Sequence, residues 1–164
     1  DALREPSPMA LHAIAAGGTS ELPLMAPALR RHLQELPWTG DGLGLTQRLA
    51  LEALRDGPRT ASQLFRTTQL ETEPLPFMGD LMFWAALREM ASAASPPVAL
   101  DAATATPRWP DQVLALTPVG GRLLAGTLDW MSLDPPERWV GGVRIAPGAA
   151  GWRWHDERGT PIPL

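Results

Sequence analysis

Residues 98–126 read VALDAATATPRWPDQVLALTPVGGRLLAG, and their reading decides the fold. Val98-Ala99-Leu100 and Val113-Leu114-Ala115-Leu116 are apolar runs of strand length. Between them Asp101 to Gln112, rich in Ala, Thr and Pro, reads as a loop. Thr117-Pro118 then opens a helix, with Thr117 as cap and Pro118 at the first helical position. Leu123-Leu124 turn inward and Gly126 stops the helix.

Three helices are predicted upstream of these strands. The first runs from about Thr46 to Asp56 and is stopped by Gly57-Pro58. The next follows Thr60 as cap, runs to about Leu70, and buries Ala61, Leu64 and Phe65. The third, Phe77 to about Ala94, is the most apolar element. Phe77, Leu81, Trp84 and Leu87 lie along one face, widened by Met78, Met82, Phe83, Ala86 and Met90. Helix, helix, helix, strand, strand, helix is the order of a winged-helix domain with the strands as its wing. That unit spans residues 44–128.

Residues 1–43 read as a helical segment. A short helix over 8–17 is capped by Ser7 and ended by Gly17-Gly18. A second, over 22–36, has Leu22, Met25, Leu29, Leu33 and Leu36 on one face, with Arg30-Arg31 and Gln34-Glu35 on the other. Pro37 to Gly44 is a loop by composition. Residues 129–164 form a Trp/Arg-rich tail packed on the middle unit. There a strand over 140–146, the turn Pro147 to Gly151 and a strand over 152–155 make a hairpin, with Trp152 and Trp154 on one side. A turn over 156–159 leads to a proline-bearing end. The expected class is mainly α (α+β): a winged-helix-like domain with N-terminal helices and a C-terminal β-hairpin.

Composition narrows the chemistry. The chain has no Cys, Lys, Asn or Tyr, and all 14 of its basic residues are Arg. Disulfides, Cys-ligated metals, Schiff-base lysines and P-loop lysines are therefore excluded. Codons for Lys, Asn and Tyr are AT-rich, so a GC-rich bacterial genome accounts for these absences together. A net charge of -4 gives no long-range attraction to nucleic acid or anionic membrane. No apolar stretch is long enough to span a bilayer. The N-terminus lacks a signal-peptide pattern, so a cytoplasmic location is expected. A start at Asp1 is read as a fragment of a longer protein.

Candidate sites are few. Arg48, Arg55, Arg59 and Arg66 form a weak basic face. The predicted recognition helix region opposes them, because residues 71–90 hold Glu71, Glu73, Asp80 and Glu89 against Arg88 alone. Nucleic acid is thus a possible but disfavoured partner. His12, His32 and His155 show no metal-ligand spacing, and no catalytic residue, cofactor or metal site is assigned. Gly40-Asp41-Gly42-Leu43-Gly44 has glycine spacing suggestive of a phosphate loop, but no strand precedes it. Glu71, Glu73, Asp156 and Glu157 read as solvated linker charges. The strongest ligand or partner surface is Arg138, Trp139, Arg144, Trp152, Arg153 and Trp154, since Arg stacks on Trp and such surfaces hold anions, bases or peptides.

An ordered set of segments carries a family resemblance: TSELPLMAPALRRHLQELPWTGDGLGLTQR, RLALEALRDGP, SQLFR, PFMGDLMFW, LALTPVGGRLLAG, RWVGGV and WRW. Together, over roughly residues 7 to 156, they resemble the C-terminal part of bacterial proteins carrying the domain of unknown function 1835. The resemblance implies an N-terminal domain ahead of this region and supplies no catalytic residues. It departs from the family at Asp41-Gly42-Leu43-Gly44, where relatives read like NGLS, and at Arg144, where relatives often carry His. The expected function is a non-catalytic accessory or protein-interaction module. Its partner would be the N-terminal domain or, as a homo-oligomer, a second copy. The alternatives are a winged-helix DNA-binding regulator and the substrate-binding half of an enzyme completed by the N-terminal domain.

Overall fold

The two apolar runs form strands, but with a third partner that the sequence did not announce. In the computed structural model, which describes residues 1–101, 108–148 and 151–164, Arg59–Thr60 (β1) pairs antiparallel with Val113–Leu116 (β3). Val98–Leu100 (β2) pairs with the other side of β3, so the sheet order is β1-β3-β2. Residues 102–107 of the expected loop and 149–150 of the expected turn lie outside the described residues.

Helices flank this sheet as an α+β arrangement. Met9–Gly17 (α1) and Met25–Leu33 (α2) come first, then Leu45–Ala53 (α3), Ala61–Phe65 (α4), Asp80–Ala91 (α5) and Pro118–Leu124 (α6). Thr60 and Thr117 cap α4 and α6 as their positions predict. Gln63 N and Gly120 N each donate to the cap hydroxyl at 3.2 Å. The Gln63 side chain returns the favour, accepting from Thr60 N and completing a capping box. At α3 the cap position is Gly44, which has no side chain to offer. There Glu35 Oε1, from beyond the end of α2, accepts from Thr46 N at 3.1 Å and takes over the role.

Two predicted boundaries shift for physical reasons. The helix after Thr60 continues past Phe65 as a π-helical stretch, Arg66–Thr72. Thr68 Oγ1 donates to Leu64 O, and Thr72 Oγ1 donates to Thr67 O and Thr68 O, which widens the turns. The apolar helix begins at Asp80, not Phe77: Glu73 is buried, the chain bends at 74 and 75 after it, and Gly79 with extended angles is the cap. Its buried face is Phe83, Trp84, Leu87 and Met90, whereas Phe77, Leu81 and Met82 are exposed. The expected face through Phe77, Leu81, Trp84 and Leu87 is corrected accordingly.

Two cores divide the apolar residues. The first joins α3, α4, α5, α6 and the sheet through Leu51, Leu64, Phe83, Leu87, Leu114 and Leu123, with Trp130 added from the tail. The second joins Leu11, Leu33 and Leu36 to Val140, Val143, Ile145 and Trp154. The C-terminal strands therefore pack on the N-terminal helices, and not chiefly on the middle unit as expected. Backbone bonds fix this pairing: Trp154 N donates to Pro37 O at 2.9 Å and Thr39 N to Trp154 O at 3.0 Å.

The tail holds two hairpins where one was expected. Arg138–Val140 (β4) pairs with Val143–Ile145 (β5) across Gly141-Gly142. Gly141 has φ +57, the glycine conformation that a two-residue hairpin turn demands. Trp152–His155 (β6) pairs instead with Thr160–Pro163 (β7), the proline-bearing end. Trp152 and Trp154 do share one side of β6, packing with the second core.

Gly42 is the tightest point in the loop before α3. Its φ is +74, and a Cβ there would overlap Asp129 Oδ1 and lie 2.9 Å from two backbone nitrogens. Gly42→Ala should lower unfolding free energy by about 2–4 kcal/mol in urea titration, because strain and overlap add. Gly159→Ala, with φ +61 but open space around it, should cost only the backbone term, about 1 kcal/mol.

Candidate functional site

The predicted Arg/Trp surface separates into inward and outward members. Arg138 points inward, donating from Nη2 to Glu35 O at 2.7 Å. Arg153 is buried and holds Asp129 with both terminal nitrogens, at 3.2 and 2.8 Å. Trp154 is buried in the second core. Trp139 and Arg144 face outward, and the Arg144 guanidinium pairs in fork fashion with Glu137 at 2.9 and 2.5 Å. That pairing holds the Glu137 carboxyl below its usual range. The six residues thus form no single surface, and Trp152 is their only half-buried Trp.

Three of them, Arg144, Trp152 and Arg153, share one cleft. Arg144, Arg153, Trp152, Asp129 and Ser132 line a cavity of about 320 Å³. Both guanidinium groups there are already engaged by carboxylates. Arg138, the third arginine expected to converge on an anion, lies elsewhere.

Two of the four arginines of the predicted basic face are paired with carboxylates. Arg48 Nη2 lies 2.6 Å from Asp41 Oδ2, and its guanidinium sits 4.6 Å over the Trp38 ring. Arg55 pairs with Glu52, and Arg59 Nε donates to Ala53 O. Arg66 is exposed at the start of the π-helical stretch. Residues 41–44 of the glycine-rich segment are buried, and Gly40 is exposed. Asp41 Oδ1 accepts from Leu43 N within it, and burial raises the Asp41 pKa.

Sequence reasoning missed the most elaborate polar cluster. Arg31 is only 3% exposed. Its Nε and Nη2 donate to the two oxygens of Glu73 at 2.6 and 2.7 Å, Nη1 donates to Glu35 Oε1 at 2.6 Å, and Nη2 also reaches Thr46 Oγ1 at 2.9 Å. Phe77 covers the guanidinium at 4.9 Å. Glu73 is therefore buried and paired, which corrects its reading as a solvated linker charge. The signal available in sequence was the i, i+4 pair Arg31/Glu35, but no local pattern links residue 31 to residue 73. The cluster is structural: one guanidinium serves two carboxylates, Arg138 adds its charge near Glu35, and the cluster opens onto no described cavity.

The exposed part of α5 is the other feature that the sequence did not anticipate. Phe77, Leu81 and Met82 are 53%, 64% and 63% exposed, and Leu70 on the preceding stretch is 65% exposed. Ala85 and Arg88 continue this outer face along the helix.

Among the described residues, no group of three or more His, Asp or Glu is placed to hold a metal. No described helix is long and apolar enough to cross a membrane. No family model, curated protein or solved structure matches this chain.

Two stability outcomes test the polar cluster. Arg31→Met leaves two carboxylates facing an uncharged side chain and should cost about 3–5 kcal/mol in chemical denaturation. The second concerns pH. Burial lowers the His32 pKa from 6.5, with Arg31 adding to the shift and Glu35 opposing it. The folded state then binds fewer protons than the unfolded state, so stability present above pH 6.5 falls as pH drops through the folded pKa. Thermal unfolding of His32→Gln should lack that decline between neutrality and mild acid.

Proposed function

We propose that this chain is a non-catalytic protein-interaction module whose docking surface is the outer face of α5. The observation that carries the reading is the exposed pair Leu81 and Met82 on α5, which the protein leaves in water at a cost that a partner would recover. The element order α3-β1-α4-α5-β2-β3 and the sheet order β1-β3-β2 support a winged-helix-like unit over residues 44–128. In that reading α5 occupies the position of a recognition helix.

The composition of that helix argues for protein over DNA. A groove-reading helix presents polar and basic residues at its N-terminal end. Here Asp80, Leu81 and Met82 stand there, and Glu71 lies on the stretch before it. The arginines behind it are engaged by Asp41, Glu52 and the Ala53 carbonyl. A substrate-binding reading of the Arg144/Arg153 cleft is weaker, because both cations are paired and neither needs a ligand. The likeness to bacterial proteins with the domain of unknown function 1835 belongs to the same proposal, as does a cytoplasmic location.

A photo-crosslinking residue at position 81 tests this in host cells. Adducts of protein mass should form there and be absent when the same residue replaces Glu157, in the exposed β6–β7 turn. Absence of protein adducts at 81, together with a salt-sensitive shift of double-stranded DNA by the purified chain, would reverse the assignment.

A further inference from the structure

Strand β6 leaves part of one edge unpaired, and a cavity lies at that part. We infer that an extended, uncharged peptide segment of a partner protein docks there, adding to β6 at Trp152. This surface is separate from α5.

Hydrogen-bond phase fixes the free edge. Alternate residues of a strand direct their N–H and C=O groups to opposite edges. Trp154 N donates to Pro37 O and Trp154 O accepts from Thr39 N, so Trp154 faces away from β7. Leu164 N donates to Gly151 O, so Gly151 faces β7. Trp152 therefore turns its N–H and C=O to the same outer edge as Trp154. The parallel pairing of Trp38 with Trp154 would continue by a donor from residue 37 to Trp152 O and by an acceptor, Glu35 O, for Trp152 N. Residue 37 is Pro, which has no N–H to give. Glu35 O accepts from Arg138 Nη2 instead. The ladder stops there, and Trp152 N and O have no backbone partner among the described residues.

The cavity supplies the space. Pro37, Met131, Arg144, Ile145, Trp152 and Arg153 are among the residues lining its volume of about 320 Å³. A second groove of about 410 Å³ shares Arg144, Gly151, Trp152 and Leu164 with it, so open space continues past Trp152 to the exposed Trp139. Pro37, Met131 and Ile145 give apolar walls for a side chain of the incoming strand, whose alternate residues point to one side.

The edge selects the chemistry of its occupant. Another extended backbone repeats an N–H and a C=O at strand spacing and meets both groups of Trp152. A phosphate could meet the N–H but not the C=O. Arg144 is paired with Glu137 and Arg153 with Asp129, so neither calls for a charge on the peptide. Uncharged residues enter such a cavity at the least desolvation cost.

Nuclear magnetic resonance of the isotope-labelled whole chain tests both the edge and the docking. In the free protein the Trp152 amide should exchange with solvent about a hundredfold faster than the Trp154 amide. The probe is the capped peptide acetyl-Thr-Val-Thr-Val-Thr-amide. It should shift the Trp152 amide signal saturably, with a Kd of about a millimolar, and slow its exchange. The same peptide N-methylated at every inner residue should bind about tenfold more weakly, having lost its backbone donors. Ala146→Trp, which fills the cavity, should abolish the shift while circular dichroism stays that of the parent. A Trp152 amide as protected as that of Trp154 overturns the inference. So does a Trp152 signal unmoved at about ten millimolar peptide, an N-methylated peptide that binds equally well, or a folded Ala146→Trp chain that still binds. The exchange and N-methylation results decide the matter whether or not that variant folds. Crosslinking at position 81 reports α5 alone, so the two surfaces stand or fall separately.

Discussion

A buried arginine has few ways to exist, and Arg31 uses most of them at once. Leaving water costs a guanidinium several kcal/mol, so its donors must be met by acceptors in fixed places. Here Glu73 takes the fork, Glu35 takes one terminal nitrogen and Thr46 shares the other. Those partners come from the chain after α2, the start of α3 and the end of the π-helical stretch. Arg31 and Glu35 together hold the N-terminal helices against the middle unit. Glu35 ties the tail to the same point, because its carbonyl accepts from Arg138 on β4.

That constraint reaches the candidate site. Glu73 can be buried only if the chain after the π-helical stretch turns in toward Arg31. Leu75 N donates back to Glu73 Oε1, holding the turn. The chain then passes Phe77 over the guanidinium and enters α5 at Gly79. A helix begun at Phe77 could not have made this approach. The late start places Leu81 and Met82 in the first turn of α5, on its solvent side. The apolar outer face is thus a consequence of where the helix starts, as well as of its composition.

The parts legible in sequence were those written in local chemistry. Thr60 and Thr117 cap the helices their positions predict, and the runs at 98–100 and 113–116 pair as strands. The parts that were not legible depend on partners far apart in the chain. β1 has only two residues, too few for a period to show, and becomes a strand through β3. The split of the tail into two hairpins turned on Gly141-Gly142, a signal that was present but outweighed by the Trp alternation after it. Glu73 looked like any linker acid because Arg31 lies 42 positions away. The Trp/Arg tail drew attention as a surface, yet Arg138, Arg153 and Trp154 are mostly internal fastenings. Residue types that bind ligands also hold small hairpins together, and composition alone does not separate the two uses.

The same ambiguity acted in reverse on α5. Read as a sequence, Phe77 to Met90 has enough apolar residues to be buried all round, and the natural expectation is a helix hidden by packing. Four of them, Phe83, Trp84, Leu87 and Met90, already fill one side against the first core. They sit within about a third of the helical circumference, so a second apolar row cannot reach that core. Leu81 and Met82 are therefore left over by geometry, and nothing within the described chain covers them. The exposed pair is thus set by the helix's phase against the core, and it is this pair on which the docking proposal rests.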